Sequence, residues 1–291
     1  MKNNVLQDTT LTFVGAGVMA EAMIKGILAQ GLIEPDRVMT SDPHQPRGQE
    51  LVERYGVQFV TDNRTAADFG EIVVLSVKPQ VLPAVMPDLR GHLGRSALLL
   101  SIVAGARISS ILHGTGHPAI VRCMPNTPAQ VGKGMTVWTA TPQVSQRQRQ
   151  QTQTIWSALG EELFVDDESY LDMATALSGT GPAYVFLFME ALIDAGVHMG
   201  FPRHISEKLV FQTIHGSLDY YRHAKRHPAT LRNQVTSPGG TSAEALYYLE
   251  KAGFRTAISR AVWAAYQRSL ELGKEKAVHI PGDTPDDIDS D

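Results

Sequence analysis

The stretch FVGAGVMAEAM, residues 13 to 23, limits what this chain can fold into more than any other. It follows a strand-like apolar run, TLTFVG, and leads into a helix-like segment from Ala20 to Gln30 that stops at Gly31. Gly15, Gly17 and Ala20 form the pattern G-x-G-x-x-A. The first glycine makes the tight turn out of the strand, and the second lets backbone approach a pyrophosphate. The third small residue lets helix and strand pack closely, and the helix N-terminus offers unpaired N–H groups to the anion. Strand, turn and helix in this order give the pattern its specificity, which it lacks alone. The reading places Gly15, Ala16, Gly17, Val18, Met19 and Ala20 against a dinucleotide.

The residues that follow continue the alternation. RVMTSD reads as a strand and GQELVERYG as a helix with a terminal Gly56. IVVLSV (72 to 77) and ALLLSIVAG (97 to 105) are unbroken apolar runs, suited to parallel strands covered on both faces. AIVRCM, GMTVWTA and EELFVD add strands, and SQRQRQQTQTIWSALG adds a helix. The fold class expected is α/β, a doubly wound Rossmann-type sheet followed by an all-helical region. In such sheets ligands lie beyond the carboxyl ends of the strands. Asp42, at the end of the second strand, is placed to meet an adenine ribose, and as a turn-former before Pro43 it also has an ordinary role. Arg47, five residues on, can swing in to pair with a 2′-phosphate. Val77, Lys78 and Pro79, the SIVAG segment, and the loop RCMPNTPA with its Asn126 occupy equivalent strand ends and border one crevice.

From Asp166 to about Lys274 the periodicity is helical throughout. The domain boundaries expected are 1 to 166 and 167 to 277, with 278 to 291 an acidic tail lacking apolar anchors. The segment PAYVFLFMEALIDAGVHMG is apolar on nearly every face and needs covering, by the core or by another subunit. The uncharged run from Met173 to Met189 carries glycines, a proline and hydroxyls, and reads as too interrupted to span a membrane. A net charge of −4 gives no basic footprint for nucleic acid. One cysteine, Cys123, permits no disulfide within the chain, and the first residues show no secretory h-region. A cytoplasmic protein is expected. There is no HExxH, CxxC or G-x-S-x-G. His113 and His117 fall in HGTGHP, loop-like by composition, so no metal site is expected.

The motifs FVGAGVMAEAM, VKPQVL, RCMPNTPA, ALSGTGPAYVF and QVTSPGGTSAEAL occur in this order, and over roughly residues 11 to 274 the chain resembles pyrroline-5-carboxylate reductases. The resemblance implies reduction of 1-pyrroline-5-carboxylate to L-proline, the last step of proline biosynthesis. It implies an NAD(P)H cofactor with NADPH favoured, while the Asp42 carboxylate repels a 2′-phosphate and so leaves NADH also accepted. It further implies a helical domain that forms a homodimer, with dimers often gathered into a homodecamer. By motif, Gly15 to Ala20, Asp42, Asn63, Val77, Lys78 and Ala104 match cofactor positions, and Gln234, Thr241 and Ser242 match substrate positions. Many relatives read SPGGTT where this chain reads SPGGTS, so Ser242 keeps the hydroxyl and loses a methyl.

The loop QVTSPGGTSAEAL has its own logic. Pro238, Gly239 and Gly240 let it turn so that N–H groups of Gly240, Thr241 and Ser242 can converge on a carboxylate at a helix start. A hydroxyl of Thr241 or Ser242 can reach the ring nitrogen or the carboxylate. The same residues also suit a plain helix cap, with Glu244 in the first turn. Two other readings are weighed. One is a reductase of the 3-hydroxyacid dehydrogenase type, which would want a catalytic lysine in the helical region. The other is a non-catalytic NAD(P)-sensing protein.

Overall fold

The computed structural model describes residues 4–274; the predicted acidic tail lies outside them. The chain divides into two compact units, residues 180–264 and the remainder.

The first unit is built on eight strands: β1 (Leu11–Val14), β2 (Val38–Ser41), β3 (Gln58–Val60), β4 (Ile72–Leu75), β5 (Leu98–Ser101), β6 (Ile120–Met124), β7 (Gly134–Ala140) and β8 (Gly160–Phe164). They lie in the order β3-β2-β1-β4-β5-β6-β7-β8. The chain thus starts in the middle of the sheet and winds outward both ways, which makes the first six a Rossmann order with its switch point between β1 and β4. β1 to β6 pair in parallel, whereas β7 runs antiparallel to β6 and parallel to β8. The reversal follows from chain length. A parallel crossover needs a dozen or more residues, and only a short link separates β6 from β7. β1, β4 and β5 are buried at every position, as their unbroken apolar runs require.

The connecting helices are α1 (Val18–Ala29), α2 (Gln45–Tyr55), α3 (Asn63–Phe69), α4 (Leu82–Leu89), α5 (Ile108–Thr115), α6 (Gln146–Ser157) and α7 (Tyr170–Ala174). α3 to α5 have 7 or 8 residues and the edge strand β3 has 3, too short to show clear periodicity in the sequence. His113 proves to lie in the last turn of α5; the loop begins only at Gly116, whose left-handed backbone (φ 71°) ends the helix. His117 is buried and hydrogen-bonds the Ala97 carbonyl through Nε2 at 2.7 Å. Among the described residues no three His, Cys, Asp or Glu side chains gather as a metal site.

The second unit holds α8 (Gly181–His198), α9 (Arg203–Ala224), α10 (Pro228–Gln234), α11 (Thr241–Lys251) and the start of α12 (Phe254–Lys274). The segment from Ser242 to Lys274 is two helices, parted at Gly253 with φ 73°. Gly196 lets α8 approach α9 closely, since a Cβ there would lie 2.5 Å from Ser206 Oγ. Gly196 and Ser206 are also the only fully buried residues between 180 and 264. Phe186, Leu187, Phe211 and Trp263 all stand exposed. One chain alone therefore gives this unit no core of its own.

One sequence expectation changes. The run through residue 179 is not interrupted: a π-helical turn over Thr175–Gly179 keeps it helical, and Pro182 enters the first turn of α8, where a missing N–H costs nothing. By length and composition alone, Tyr170–His198 is long and apolar enough to cross a membrane, with mean hydropathy 1.4. The compact units part after Gly179, and α12 returns to the first unit from Ala265, while the expected boundary at 166 follows the change of periodicity.

A buried charge cluster holds that return. Arg122 on β6, 3% exposed, donates to Glu168 at 2.8 Å and to Asp172 on α7 at 3.1 Å. Ser269 on α12 donates to the same Asp172 oxygen at 2.8 Å, and the Ile108 N–H to Glu168. Breaking such a pair leaves buried charge uncompensated. Arg122→Met is expected to cost about 2–4 kcal/mol of stability, read as the urea midpoint at fixed protein concentration, and Arg122→Met with Asp172→Leu should recover part of it. A single-variant loss below about 1 kcal/mol would show that the cluster does not hold the unit together.

Candidate functional site

The glycine turn forms because β1 ends against the end of β4. Gly15 has φ 101°, and a Cβ there would lie 2.9 Å from the Ser76 carbonyl carbon and oxygen. Only glycine meets both demands. Ser76 then donates its hydroxyl to the carbonyls of Gly15 (2.7 Å) and Val14 (3.1 Å). Nothing in the sequence marked Ser76 beyond its place in LSVKPQ. Gly17, the N-cap of α1, is different. It is exposed, its backbone is extended (φ −71°, ψ 179°), and a Cβ would meet only the Ser76 oxygen at 3.9 Å. No side chain caps α1, so its first N–H groups face open space beside a residue with no side chain. That is the cradle a pyrophosphate requires, and a dinucleotide fits it. Val18 is exposed, while Ala20 is buried where helix meets strand.

Ala16, between the two glycines, is clamped through both its N–H and its carbonyl. Asp42 Oδ2 accepts from the Ala16 N–H at 3.0 Å, and Arg47 Nε donates to the Ala16 carbonyl at 2.8 Å. Asp42 Oδ1 accepts from His44 N–H at 2.9 Å, so its turn-forming role is present as well. The rest of Arg47 is engaged: Nη2 with Glu21 on α1 at 2.5 Å and Nη1 with Glu50 at 2.7 Å. Arg54 pairs with both carboxylates, and Tyr55 donates to Glu21 at 2.9 Å. Burial acts to raise the Glu21 pKa, but the hydrogen bonds from Arg47, Tyr55 and Arg54 outweigh it and hold the carboxyl below its usual range. Burial likewise opposes the charge on Arg47, and Glu21 and Glu50 override it, raising its pKa.

Asn63 spans two elements. Its Oδ1 accepts from Ser41 on β2 at 2.9 Å, and its Nδ2 donates to Asp88 on α4 at 3.0 Å. Val77 and Pro79 are half-buried and Lys78 exposed on the loop after β4. Ala104 is half-buried on the loop after β5. Asn126, after β6, donates to the Ser178 carbonyl at 3.2 Å and accepts from Met135 N–H at 2.9 Å, tying its loop to the π-helical turn. Sheet order puts the ends of β1, β4, β5 and β6 side by side, so these loops share one edge. Cys123 is fully buried, and burial pushes its thiol well above the usual range, far from the thiolate a nucleophile needs.

The loop from Gln234 to Ser242 belongs to the helical unit. Gln234 accepts from Tyr220 Oη at 3.4 Å. Gly239 has φ 68°, a conformation that favours glycine, and the Gly240 N–H donates to the Ser237 carbonyl at 3.1 Å. Gly240 is therefore not a free donor; Thr241 and Ser242 keep theirs at the start of α11. The N-cap is Gly240 itself, with no side-chain cap bond. The hydroxyls of Thr241 and Ser242 are thus not spent on capping, as the plain-cap reading requires.

Comparison with known proteins adds the family. Residues 168–272 match the family model described as pyrroline-5-carboxylate reductase dimerisation, and residues 10–105 the one described as NADP oxidoreductase, coenzyme F420-dependent. A pyrroline-5-carboxylate reductase of Synechocystis sp. is 44% identical over 265 residues, 91% of this chain and 98% of the relative. The chain belongs to the pyrroline-5-carboxylate reductase family. The Arabidopsis thaliana reductase is 35% identical over 90% of this chain and 95% of its own. A crystal structure of Plasmodium falciparum pyrroline carboxylate reductase with NADP bound superposes with a TM-score of 0.86, at 33% identity, over 92% of this chain and 99% of that one. The reductase family thus accounts for both units, and the helical region falls in its dimerisation domain.

The two glycines separate into structural and open positions. Gly15→Ala combines a left-handed backbone with a backbone collision and should cost roughly 1–3 kcal/mol. Gly17→Ala should stay within about 1 kcal/mol. Equal urea midpoints for the two variants would contradict the strained turn.

Proposed function

We propose that this chain reduces 1-pyrroline-5-carboxylate to L-proline, taking NADPH and accepting NADH. The observation that carries the reading is similarity to a named reductase over 98% of that relative's length, which includes both the glycine turn and the SPGGTS loop. Bound NAD(P)H supplies the hydride. The chain's part is to hold the dinucleotide at the α1 N-terminus, with Gly15, Ala16, Gly17, Val18, Met19 and Ala20 against the pyrophosphate and Asp42 near the adenine ribose. Asn63, Val77, Lys78, Pro79, Ala104 and Asn126 line the shared edge, with Asn63 and Asn126 holding loops in register. Gln234, Gly239 and Gly240 shape the substrate loop. The N–H groups of Thr241 and Ser242 receive the substrate carboxylate, and a hydroxyl of Thr241 or Ser242 meets the carboxylate or the ring nitrogen, where it can hold or relay the proton. Positioning and water exclusion do the remaining work. Neither the 3-hydroxyacid reading nor the NAD(P)-sensing one is favoured beside this similarity.

The helical unit is covered by a second copy. Its exposed apolar faces, its near-absence of buried residues and its match to a dimerisation domain support this over a lipid surface. Dimers gather into a decamer in the fuller reading, in a cytoplasmic setting without nucleic acid. The domain limits 1–166 and 167–277 serve as the cofactor and the dimerisation and substrate halves. Sedimentation should show a dimer or a multiple of it at micromolar concentration; an active monomer there would sink the assembly.

Loss of nicotinamide absorbance with pyrroline-5-carboxylate, and not with a 3-hydroxyacid, tests the activity. Gly17→Val should melt like the parent yet bind no dinucleotide, because its side chain enters the cradle. Ser242→Ala should keep cofactor affinity while kcat/KM for the imine falls about five- to a hundredfold, the worth of one buried or charge-assisted hydrogen bond. An unchanged kcat/KM would mean that the hydroxyl never meets substrate.

A further inference from the structure

We propose that Glu21 sets the cofactor choice of this reductase, by holding Arg47 on the glycine turn in competition with the 2′-phosphate of NADPH. The inference rests on the reading above that the end of β2 receives the adenine ribose. A guanidinium takes a phosphate best through two parallel N–H groups on one edge. Here Nε, Nη1 and Nη2 of Arg47 are already turned to the Ala16 carbonyl, Glu50 and Glu21, at 2.8, 2.7 and 2.5 Å. Arg47 must release a carboxylate before it can grip a phosphate.

Charge pulls the same way. Around this corner stand three carboxylates, Asp42, Glu21 and Glu50, against two guanidiniums, Arg47 and Arg54. The surplus is negative, so an added phosphate dianion is repelled while ribose hydroxyls are accepted. Glu21 is the pivot of the cluster. It accepts from Arg47, Arg54 and Tyr55 together, and its side chain is only 18% exposed, so solvent screens it less than a surface acid. Glu50, at 43%, is more open. Loss of the Glu21 charge brings the local sum to zero and frees one edge of Arg47. Its position on α1, one turn beyond the glycines, also keeps it clear of the pyrophosphate. It acts through Arg47 and is a positioning residue.

The test compares kcat/KM for NADPH and NADH, and the dissociation constants of NADP+ and NAD+ measured by calorimetry without substrate, in the full-length enzyme and in Glu21→Gln, Arg47→Met and the double variant, at low and high salt; both ratios are read. Glu21→Gln should raise the NADPH/NADH ratio roughly three- to tenfold, most strongly at low salt. Arg47→Met should lower the ratio, and in the double variant the Glu21 substitution should have a clearly smaller effect, since only its direct charge is then left to act. If Arg47→Met lowers the ratio and Glu21→Gln leaves it unmoved, the competition is disproved while the role of Arg47 stands. A rise as large in the double variant as in Glu21→Gln alone would show that Glu21 acts by charge and not through Arg47, and it too overturns the proposal. If Arg47→Met does not move the ratio, the 2′ position is read elsewhere and both ideas fall. Should Glu21→Gln melt below assay temperature, Glu21→Asp keeps the charge but withdraws the carboxylate from Arg47 by one methylene, and a rise in the same direction but smaller is expected from it.

Discussion

The close approach of Gly15 to the end of β4 is the contact on which the cofactor half depends. A Cβ would collide with the Ser76 carbonyl, and the backbone already sits where other residues are strained. With that approach made, Ser76 fastens the turn to its neighbour, α1 starts beside β4, and the next strands wind outward from the switch point. Gly17 is then left exposed at an uncapped helix start. One strained glycine thus creates the place where a second, unstrained one can serve a ligand.

The turn is also governed from the side. The Ala16 peptide gives its N–H to Asp42 and its carbonyl to Arg47, so the residues proposed to read the adenine ribose already brace the pyrophosphate cradle. On the proposed reading, cofactor choice and loop geometry are not independent, because a substitution at either residue removes a bond to Ala16, and Glu21 reaches the same residue through Arg47.

The helical unit poses the opposite problem. Where the sheet hides whole strands, residues 180–264 hide almost nothing. Exposed phenylalanines and leucines on α8 and α9 mark a surface made to be covered, as the match to a dimerisation domain requires. The last turns of α12 are again anchored through Ser269, Asp172 and Arg122, a cluster invisible in the sequence because its members lie on three separate elements.

By itself the sequence determined the strand–turn–helix start, the parallel core strands, the helical second half and the family, because each is written in local periodicity or a contiguous motif. It left β3 and the short helices α3 to α5 obscure, since these are held by packing and carry little pattern. It also read Pro182 and the nearby glycines as breaks, where a π-turn carries the helix through. Tertiary structure decided which donors remain available. Gly240 spends its N–H on Ser237 while the Thr241 and Ser242 hydroxyls stay out of the cap. It decided too that Arg47 faces Glu21 and Glu50, not open solvent. The physical reason is the same in each case. A motif records which groups are present, and only the fold brings distant residues close enough to settle which of those groups is already bonded.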